Sequence, residues 1–152
     1  MPTKQDWEWL AAGSEYQAAI AVQQLLENGN FNEATEGLYV LIESMGKSKR
    51  LALTSQLTRL MAHILKWKCQ PEKRSSSWSI TIRSARQEIA DIQEEVPSLN
   101  RDFINSLWEK SLKRAIKDAQ DEMGKKCDLK SLSWTEVFDE KYSLFDDADE
   151  DN

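Results

Sequence analysis

Apolar residues recur along this chain at intervals of three and four positions rather than two, and this periodicity predicts α-helices throughout. The first helix is expected from about Asp6 to Asn28, because Gly29 can adopt the left-handed conformation that ends a helix. A second is expected from Asn30 or Asn32 to Met45. We assign the apolar faces of these two helices to Trp9, Ala12, Tyr16, Ala19, Ile20 and Leu26, and to Leu38, Leu41, Ile42 and Met45.

Gly46 is predicted to end or bend the second helix, and a third helix is predicted from Lys47 to about Cys69. Pro71 has no amide hydrogen and disfavours a helical conformation at the residue before it, so the third helix must end near this point. Residues 75–77 are all serine, and their hydroxyl groups can cap the next helix. The intervening segment is therefore interpreted as a bend between two antiparallel helices.

The fourth helix has the sharpest pattern in the chain. Its apolar residues alternate in steps of four and three and form one row: Trp78, Ile82, Ala85, Ile89, Ile92 and Val96. Burial of a large apolar side chain contributes roughly 1.5–3 kcal/mol, so this row is expected to outweigh any nearby surface ion pair. A fifth helix is predicted from Pro97 to Met123, and Ser133 and Glu136 have the capping-box spacing that starts a short sixth helix.

Length and composition fit one soluble domain. The chain has 152 residues, of which 40% are hydrophobic, so we predict a single all-α bundle of five main helices and a short C-terminal helix over residues 1–145. Residues 146–152 hold five acids and no base and are expected to be disordered. No apolar run reaches the roughly 18 residues that a membrane span needs, and no secretory leader is visible, so a cytoplasmic protein is expected. Cys69 and Cys127 are then expected to be reduced, and neither a metal ligand set nor another cofactor is predicted.

Charge is unevenly distributed along the chain. Residues 47–86, which we call the basic hairpin, contain ten Lys and Arg residues and a single acid, Glu72, whereas both flanking segments are acidic. One interpretation is a surface that binds nucleic acid or another polyanion, with the acidic tail competing for it. The alternative, which the positions on the helices favour, is that the basic helices pair with the acidic flanks. The candidate polyanion-binding residues are Arg59, Lys66, Lys68, Lys73, Arg74, Arg83 and Arg86.

His63 is the only histidine and is the one candidate for general-base catalysis, because its unperturbed pKa lies near neutrality. No nucleophile is evident within helical reach of it, and a histidine packed against Trp67 is the simpler interpretation. The six tryptophans, among them Trp67 and Trp78, are expected in the core or as anchors at helix ends. If two or three were exposed together, they would instead mark a surface for a partner protein.

The run "LTRLMAHILKWKCQPEKRSSSWSITI", from Leu57 to Ile82, carries a family resemblance. Its helix with His63, the triplets "LKW" and "QPE" and the pattern "SW..TI" resemble the signature of the bacterial, chiefly cyanobacterial, family called domain of unknown function 29. The motifs "IESMG" and "PSL" and the closing "SW" helix fit the same family, and the resemblance covers about residues 6–145. It implies an all-helical fold and brings no assigned activity and no functional residues.

Three functional hypotheses follow from the sequence. The first is a non-enzymatic module that binds another protein or a second copy of itself, suggested by the many tryptophans and the lack of catalytic motifs. The second is binding of nucleic acid or another polyanion through the basic hairpin. The third is an enzyme that uses His63. No membrane association is expected.

Overall fold

The computed structural model describes residues 2–145, which fold into α-helices joined by short turns. A turn of 3₁₀-helix at Pro71–Lys73 and a single turn of π-helix at Thr135–Asp139 complete the regular structure. No β-strand occurs among these residues, so the predicted all-α fold is confirmed. The main helices are α1 (Lys4–Gly13), α2 (Glu15–Glu27), α3 (Phe31–Cys69), α4 (Ser76–Glu95) and α5 (Arg101–Met123).

The helices form two compact units, the first ending at Leu51 and the second beginning at Ala52. Helix α3 contributes its first part to one unit and its remainder to the other. Each unit buries a hydrophobic cluster of its own. The single domain over 1–145 therefore stays a prediction, and the tail 146–152 lies outside the described residues.

A tryptophan placed over a glycine organises the first unit. Trp7 is only 3% exposed, and a Cβ atom added to Gly37 on α3 would lie 2.6–2.7 Å from its ring. Real Cβ contacts are never this short, so only glycine lets the indole ring approach the helix backbone. The other buried residues of this cluster are Ala11, Ala18, Val22, Ala34, Val40 and Leu41.

Ser14 separates α1 from α2, where the sequence had predicted one helix. Its backbone is extended, with φ −161° and ψ 108°, and its hydroxyl accepts a hydrogen bond from the amide of Gln17. This interruption changes the direction of the chain, and Trp7 faces the core instead of Trp9, which is 80% exposed. The predicted apolar face was therefore wrong for most of its residues: Trp9, Ala12, Tyr16, Ala19 and Leu26 are all exposed.

Gly46 does not end a helix, so the predicted boundary between a second and a third helix at this residue was wrong. Helix α3 continues through it for 39 residues to Cys69. A glycine inside a helix costs only about 0.5–1 kcal/mol, and the flanking residues anchor α3 on either side of it: Leu41 is buried in the first unit and Leu53 in the second.

The second unit contains the predicted bend and the predicted apolar row. Ser75 caps α4 by accepting a hydrogen bond from the amide of Trp78, and Pro71 begins the 3₁₀ turn. Ile82, Ala85 and Ile89 are buried against the α3 residues Leu53–Leu65 and against α5, as expected for the main core. The capping box of Ser133 and Glu136 also forms, with both reciprocal hydrogen bonds at 3.0–3.1 Å.

A disulfide joins Cys69, at the end of α3, to Cys127, just after α5. The Cα atoms are 5.9 Å apart, within the range that a disulfide spans. The expectation of two reduced thiols is therefore wrong. The cysteines lie 58 positions apart in the sequence, and nothing local shows that the fold returns the chain to the same place. The bond ties the C-terminal segment, which we define as residues 125–145, to the bend after α3.

We expect Gly37→Ala to lower the free energy of unfolding by about 1–3 kcal/mol, because a methyl group at this position overlaps the Trp7 ring. Gly46→Ala is the matched control in the same helix. There the new Cβ meets only the flexible end of Arg50, at 3.2 Å. We expect Gly46→Ala to raise the free energy of unfolding by up to about 1 kcal/mol, because alanine is more favourable than glycine inside a helix. Denaturant unfolding of both variants measures the contrast, and equal effects would contradict the close packing of Trp7 on Gly37.

Thiol titration of the purified, unfolded protein is expected to find no free thiol until a reductant is added. Reduction should then lower the free energy of unfolding by about 4 kcal/mol, because the disulfide closes a loop of 58 residues. The double variant Cys69→Ser, Cys127→Ser is the control and should not respond to the reductant. Two free thiols in the native, air-exposed protein would show that the bond does not form.

Candidate functional site

Two lysines of the basic hairpin form ion pairs inside the second unit. Lys66 is only 6% exposed, pairs with Glu122 on α5, and lies 5.2 Å from the centre of the Trp78 ring. Lys68 contacts the carboxylates of Glu136 at 2.9 Å and Glu140 at 3.5 Å. All three acids belong to the C-terminal segment or to α5 before it, so these cations hold the fold together.

Two arginines of the hairpin are also engaged by the fold, but by neutral acceptors. Arg74 donates from Nε to the backbone carbonyl of Trp67 at 2.8 Å and lies over that residue's ring. Arg86 donates to the carbonyl oxygens of Val137 and Glu136, at 2.8 Å and 3.4 Å. These hydrogen bonds therefore hold the backbone of neighbouring segments in place. Within residues 2–145, neither guanidinium group has a carboxylate within 4 Å of it.

The remaining three candidates are exposed: Arg59, Lys73 and Arg83. Arg59 donates to the side chain of Gln56 on its own helix, at 3.2 Å. The seven predicted residues are thus spread between the interior and the surface, and they do not form one continuous basic face. Polyanion binding by the whole set stays a prediction.

Arg83 lines a cavity in which every charged lining residue within 2–145 is a lysine or an arginine. This cavity, of about 370 Å³, lies between α4 and the C-terminal segment, and we call it the Arg83 cavity. Arg83, Arg86 and Lys141 line it together with Tyr142 and Ser143. The hydroxyl of Ser79 donates to the carbonyl of Tyr142 at 2.7 Å and so fastens the two walls to each other.

His63 lines a separate cavity of about 300 Å³ between α3 and α5. Its Nδ1 lies 2.9 Å from the carbonyl oxygen of Arg59, and since a carbonyl can only accept, Nδ1 carries the proton and Nε2 is the free acceptor. Burial lowers the pKa of His63, so the ring is neutral at pH 7. Asp118 and Glu122 face the same cavity. A base is thus present, but catalysis by His63 stays a prediction.

Trp67 and Trp78 contribute to packing in the second unit. Trp67 is 5% exposed and meets the edge of Tyr142 with ring centres 6.1 Å apart. Trp78 is half-buried against the main core. Of the six tryptophans only Trp9 is exposed, so the tryptophans do not form the partner surface that the sequence analysis considered.

The exposed apolar surface lies in the first unit instead. Of the twelve large hydrophobic side chains that are exposed in residues 2–145, nine precede Ala52. Four of them follow one another on α3 at steps of seven, four and three residues, which places them on one face of the helix. We call them the apolar stripe: Phe31, Leu38, Ile42 and Met45.

The apolar stripe is separate from the face of α3 that packs against α1 and α2. Ala34, Gly37 and Leu41 face the interior, whereas Phe31 and Ile42 remain 63% and 59% exposed. Leu41 was predicted on one side with Leu38, Ile42 and Met45, because the sequence of a broadly apolar helix does not show which part of its face is covered.

These geometries belong to a helical protein of a family whose role is not assigned. The model of the family described as "Domain of unknown function DUF29" matches residues 15–143, and the chain belongs to that family. This confirms the resemblance on which the sequence analysis relied. No curated protein matches the chain, and no solved structure does either.

Residues 2–145 contain neither a membrane-spanning helix nor a cluster of metal-binding side chains. None of the helices in this part of the chain has the length and the apolar character needed to cross a membrane. No group of three or more His, Cys, Asp or Glu side chains is close enough together there to hold a metal ion.

Acid is expected to weaken the contact between Lys68 and Glu136. The hydrogen bond from Lys68 holds the pKa of Glu136 below its ordinary value of 4.5, aided by the Ser133 amide. A lowered pKa in the folded state stabilises the protein above pH 4.5, and this contribution is lost as the pH falls below that value. Glu136→Gln keeps the capping box but removes the ion pair. We expect it to lower the free energy of unfolding by about 1 kcal/mol at neutral pH and to make this free energy fall less steeply as the pH becomes acidic.

Unfolding free energies measured from neutral to acidic pH test this expectation. Glu88→Gln, an exposed glutamate on α4 in the same unit, is the matched control and should follow the wild-type curve. Parallel curves for wild type and Glu136→Gln would contradict the role of the Lys68 contact.

Proposed function

We propose that this protein is a non-enzymatic interaction module that binds a partner protein through the apolar stripe on α3. The partner presents an apolar face of its own, in the manner of one amphipathic helix docking on another. The observation that carries the proposal is the exposure of Phe31, Leu38, Ile42 and Met45 on one face of α3.

The size of the stripe supports a helical partner. Its residues span 14 positions of α3, or about 21 Å at the helix rise of 1.5 Å per residue. Soluble monomers rarely leave such a continuous apolar surface in water, and surfaces of this kind are typical of protein–protein contacts. Tyr39, which is 72% exposed beside the stripe, adds an aromatic side chain of the type enriched at interfaces.

The remaining apolar residues of the first unit support the same conclusion. The side chains of Trp9 and Tyr16 are exposed, whereas the second unit leaves only Ile80, Leu144 and Phe145 exposed among its large hydrophobic residues in the described part of the chain. The first unit therefore combines a small buried core with a large apolar surface. A partner would complete the burial that the unit itself does not achieve.

Photo-crosslinking in the cells that naturally produce the protein tests the proposal. A photoreactive amino acid at position 42 should give one discrete adduct, because this position lies at the centre of the stripe. The matched control is the same residue at position 36, where Glu36 is exposed on the polar face of the same helix. The effect of Ile42→Glu is measured in a chain that carries the probe at position 38. This chain should give at least about tenfold less adduct than the chain with the probe at position 38 alone, since an unpaired carboxylate would be buried at the contact.

The mass of the adduct separates two kinds of partner. An increment equal to the 17.5 kDa of this chain indicates a second copy, and any other mass indicates a different protein. Equal yields at positions 42 and 36, or no adduct at either position, would contradict the proposal.

A cytoplasmic location in a bacterial cell is part of the proposal and follows from the sequence analysis. The Cys69–Cys127 disulfide is an argument against this location, because disulfides are rare in the cytosol. Thiol trapping in intact cells before lysis reports whether the bond exists there, and cell fractionation reports the location directly.

A further inference from the structure

The Arg83 cavity has a charge pattern that differs from the rest of the second unit. Lys66 and Lys68 are each neutralised by a carboxylate at ion-pair distance. Arg83 and Arg86 line the cavity together with hydroxyl, amide and phenol groups, and none of its lining residues within 2–145 is acidic. Two arginines with no acidic residue in the described lining favour a negatively charged ligand.

Arg86 is built into the wall of the cavity. It is half-buried, and its hydrogen bonds to the carbonyl oxygens of Val137 and Glu136 hold the guanidinium plane in place. The centre of the guanidinium also lies 5.4 Å from the ring of Tyr142. These contacts fix the orientation of the group, and because carbonyls and rings carry no charge, its charge has no bound counter-ion within residues 2–145.

The acids nearest to Arg86 are already engaged or lie outside the cavity. The carboxylate of Glu140 accepts hydrogen bonds from Lys68 and from the Tyr142 hydroxyl, at 3.5 Å and 3.2 Å. Burial lowers the pKa of Arg86, whereas the nearby Tyr142, Asp139 and Glu140 raise it, so these groups offset part of the cost of burying the charge. Neither carboxylate forms an ion pair with Arg86, so an anion in the cavity would add a direct contact to the guanidinium.

Arg83 stands one helical turn before Arg86, so both side chains lie on the same face of α4. Arg83 is exposed, and its guanidinium is free to move toward a bound anion. Two guanidinium groups one turn apart can each present a pair of N–H donors to a tetrahedral oxyanion, a geometry that matches phosphate. Ser143 adds a hydroxyl on the opposite wall.

We propose that the Arg83 cavity binds the phosphate group of a small phosphorylated ligand, with Arg86 as the fixed contact and Arg83 as the mobile one. The site goes beyond the proposed function, because it lies in the second unit and uses none of the residues of the apolar stripe. Its volume of about 370 Å³ accommodates a phosphate group together with a small organic part.

Calorimetric titration of the full chain with pyrophosphate at low ionic strength tests the site. Wild type should show saturable binding with one site per chain. Arg83→Gln should weaken this binding by about tenfold, because a charge-assisted contact is lost. This variant should fold normally, since Arg83 is exposed and makes no ion pair in residues 2–145, and an unchanged melting temperature verifies that.

Arg59→Gln is the matched control. It makes the same chemical change and the same change in net charge on an exposed position of α3, outside the cavity. Its affinity for pyrophosphate should stay within about twofold of wild type, as expected for weak charge effects at a distance in salt. Arg86→Lys is a second probe, which keeps the charge but loses the planar fork, and it should weaken binding even where its melting temperature is preserved.

Three results would overturn the site. The first is the absence of saturable pyrophosphate binding at low salt. The second is an equal loss of affinity in Arg83→Gln and Arg59→Gln, which would indicate general attraction of anions to the chain. The third is binding of a duplex oligonucleotide in preference to pyrophosphate, with the loss shared by both variants and a steep salt dependence, which would instead indicate the polyanion surface predicted from the sequence.

Discussion

The contact between the basic hairpin and the C-terminal segment is the constraint on which the second unit depends. This segment, residues 125–145, contains only one short turn of helix and cannot stay in place through its own hydrogen bonds. Lys68 holds it through Glu136 and Glu140, Arg86 holds its backbone at Val137, and the disulfide fixes its beginning. Much of the positive charge between residues 47 and 86 is therefore structural. An excess of positive charge in one segment of a sequence can therefore serve either of two purposes. Some of the side chains form ion pairs within the fold, and others remain available to bind a ligand.

This constraint also explains which parts of the site could be predicted from the sequence. The balance of +9 in the hairpin was visible, and so was the alternative that acidic flanks neutralise it. The partners were not visible, because Glu136 lies 68 residues after Lys68 and no local spacing links them. Equally, the sequence could not distinguish Arg83, which faces a cavity, from Lys66, which is buried in an ion pair. That distinction depends on how α4, α5 and the C-terminal segment meet.

The helices show the same division between local and long-range information. Pro71, the Ser75 cap, Gly29 and the Ser133–Glu136 capping box act through their own backbone neighbours, and each was predicted correctly. Ser14 and Gly46 have equally plain local signals, yet the chain breaks at Ser14 and continues through Gly46. What decides between them is tertiary packing: Trp7 reaches Gly37 only if the chain turns before α2. A local signal permits a helix end, and the cost of about 1 kcal/mol for an internal glycine is small enough for packing to override.

The two units also differ in the share of their large apolar side chains that they bury. The second unit packs an apolar row and a group of aromatic rings in its core, and it leaves few large hydrophobic side chains exposed in the described residues. The first unit has a core built mainly from alanine, valine and one tryptophan. Four of its larger apolar residues lie outside that core, on the exposed face of α3. Moving four such side chains from water into a contact would contribute roughly 1.5–3 kcal/mol each, a gain that has to exceed the cost of association of about 4–15 kcal/mol. Left exposed, these side chains add little to the stability of the first unit, and this is the observation on which the proposed interaction rests.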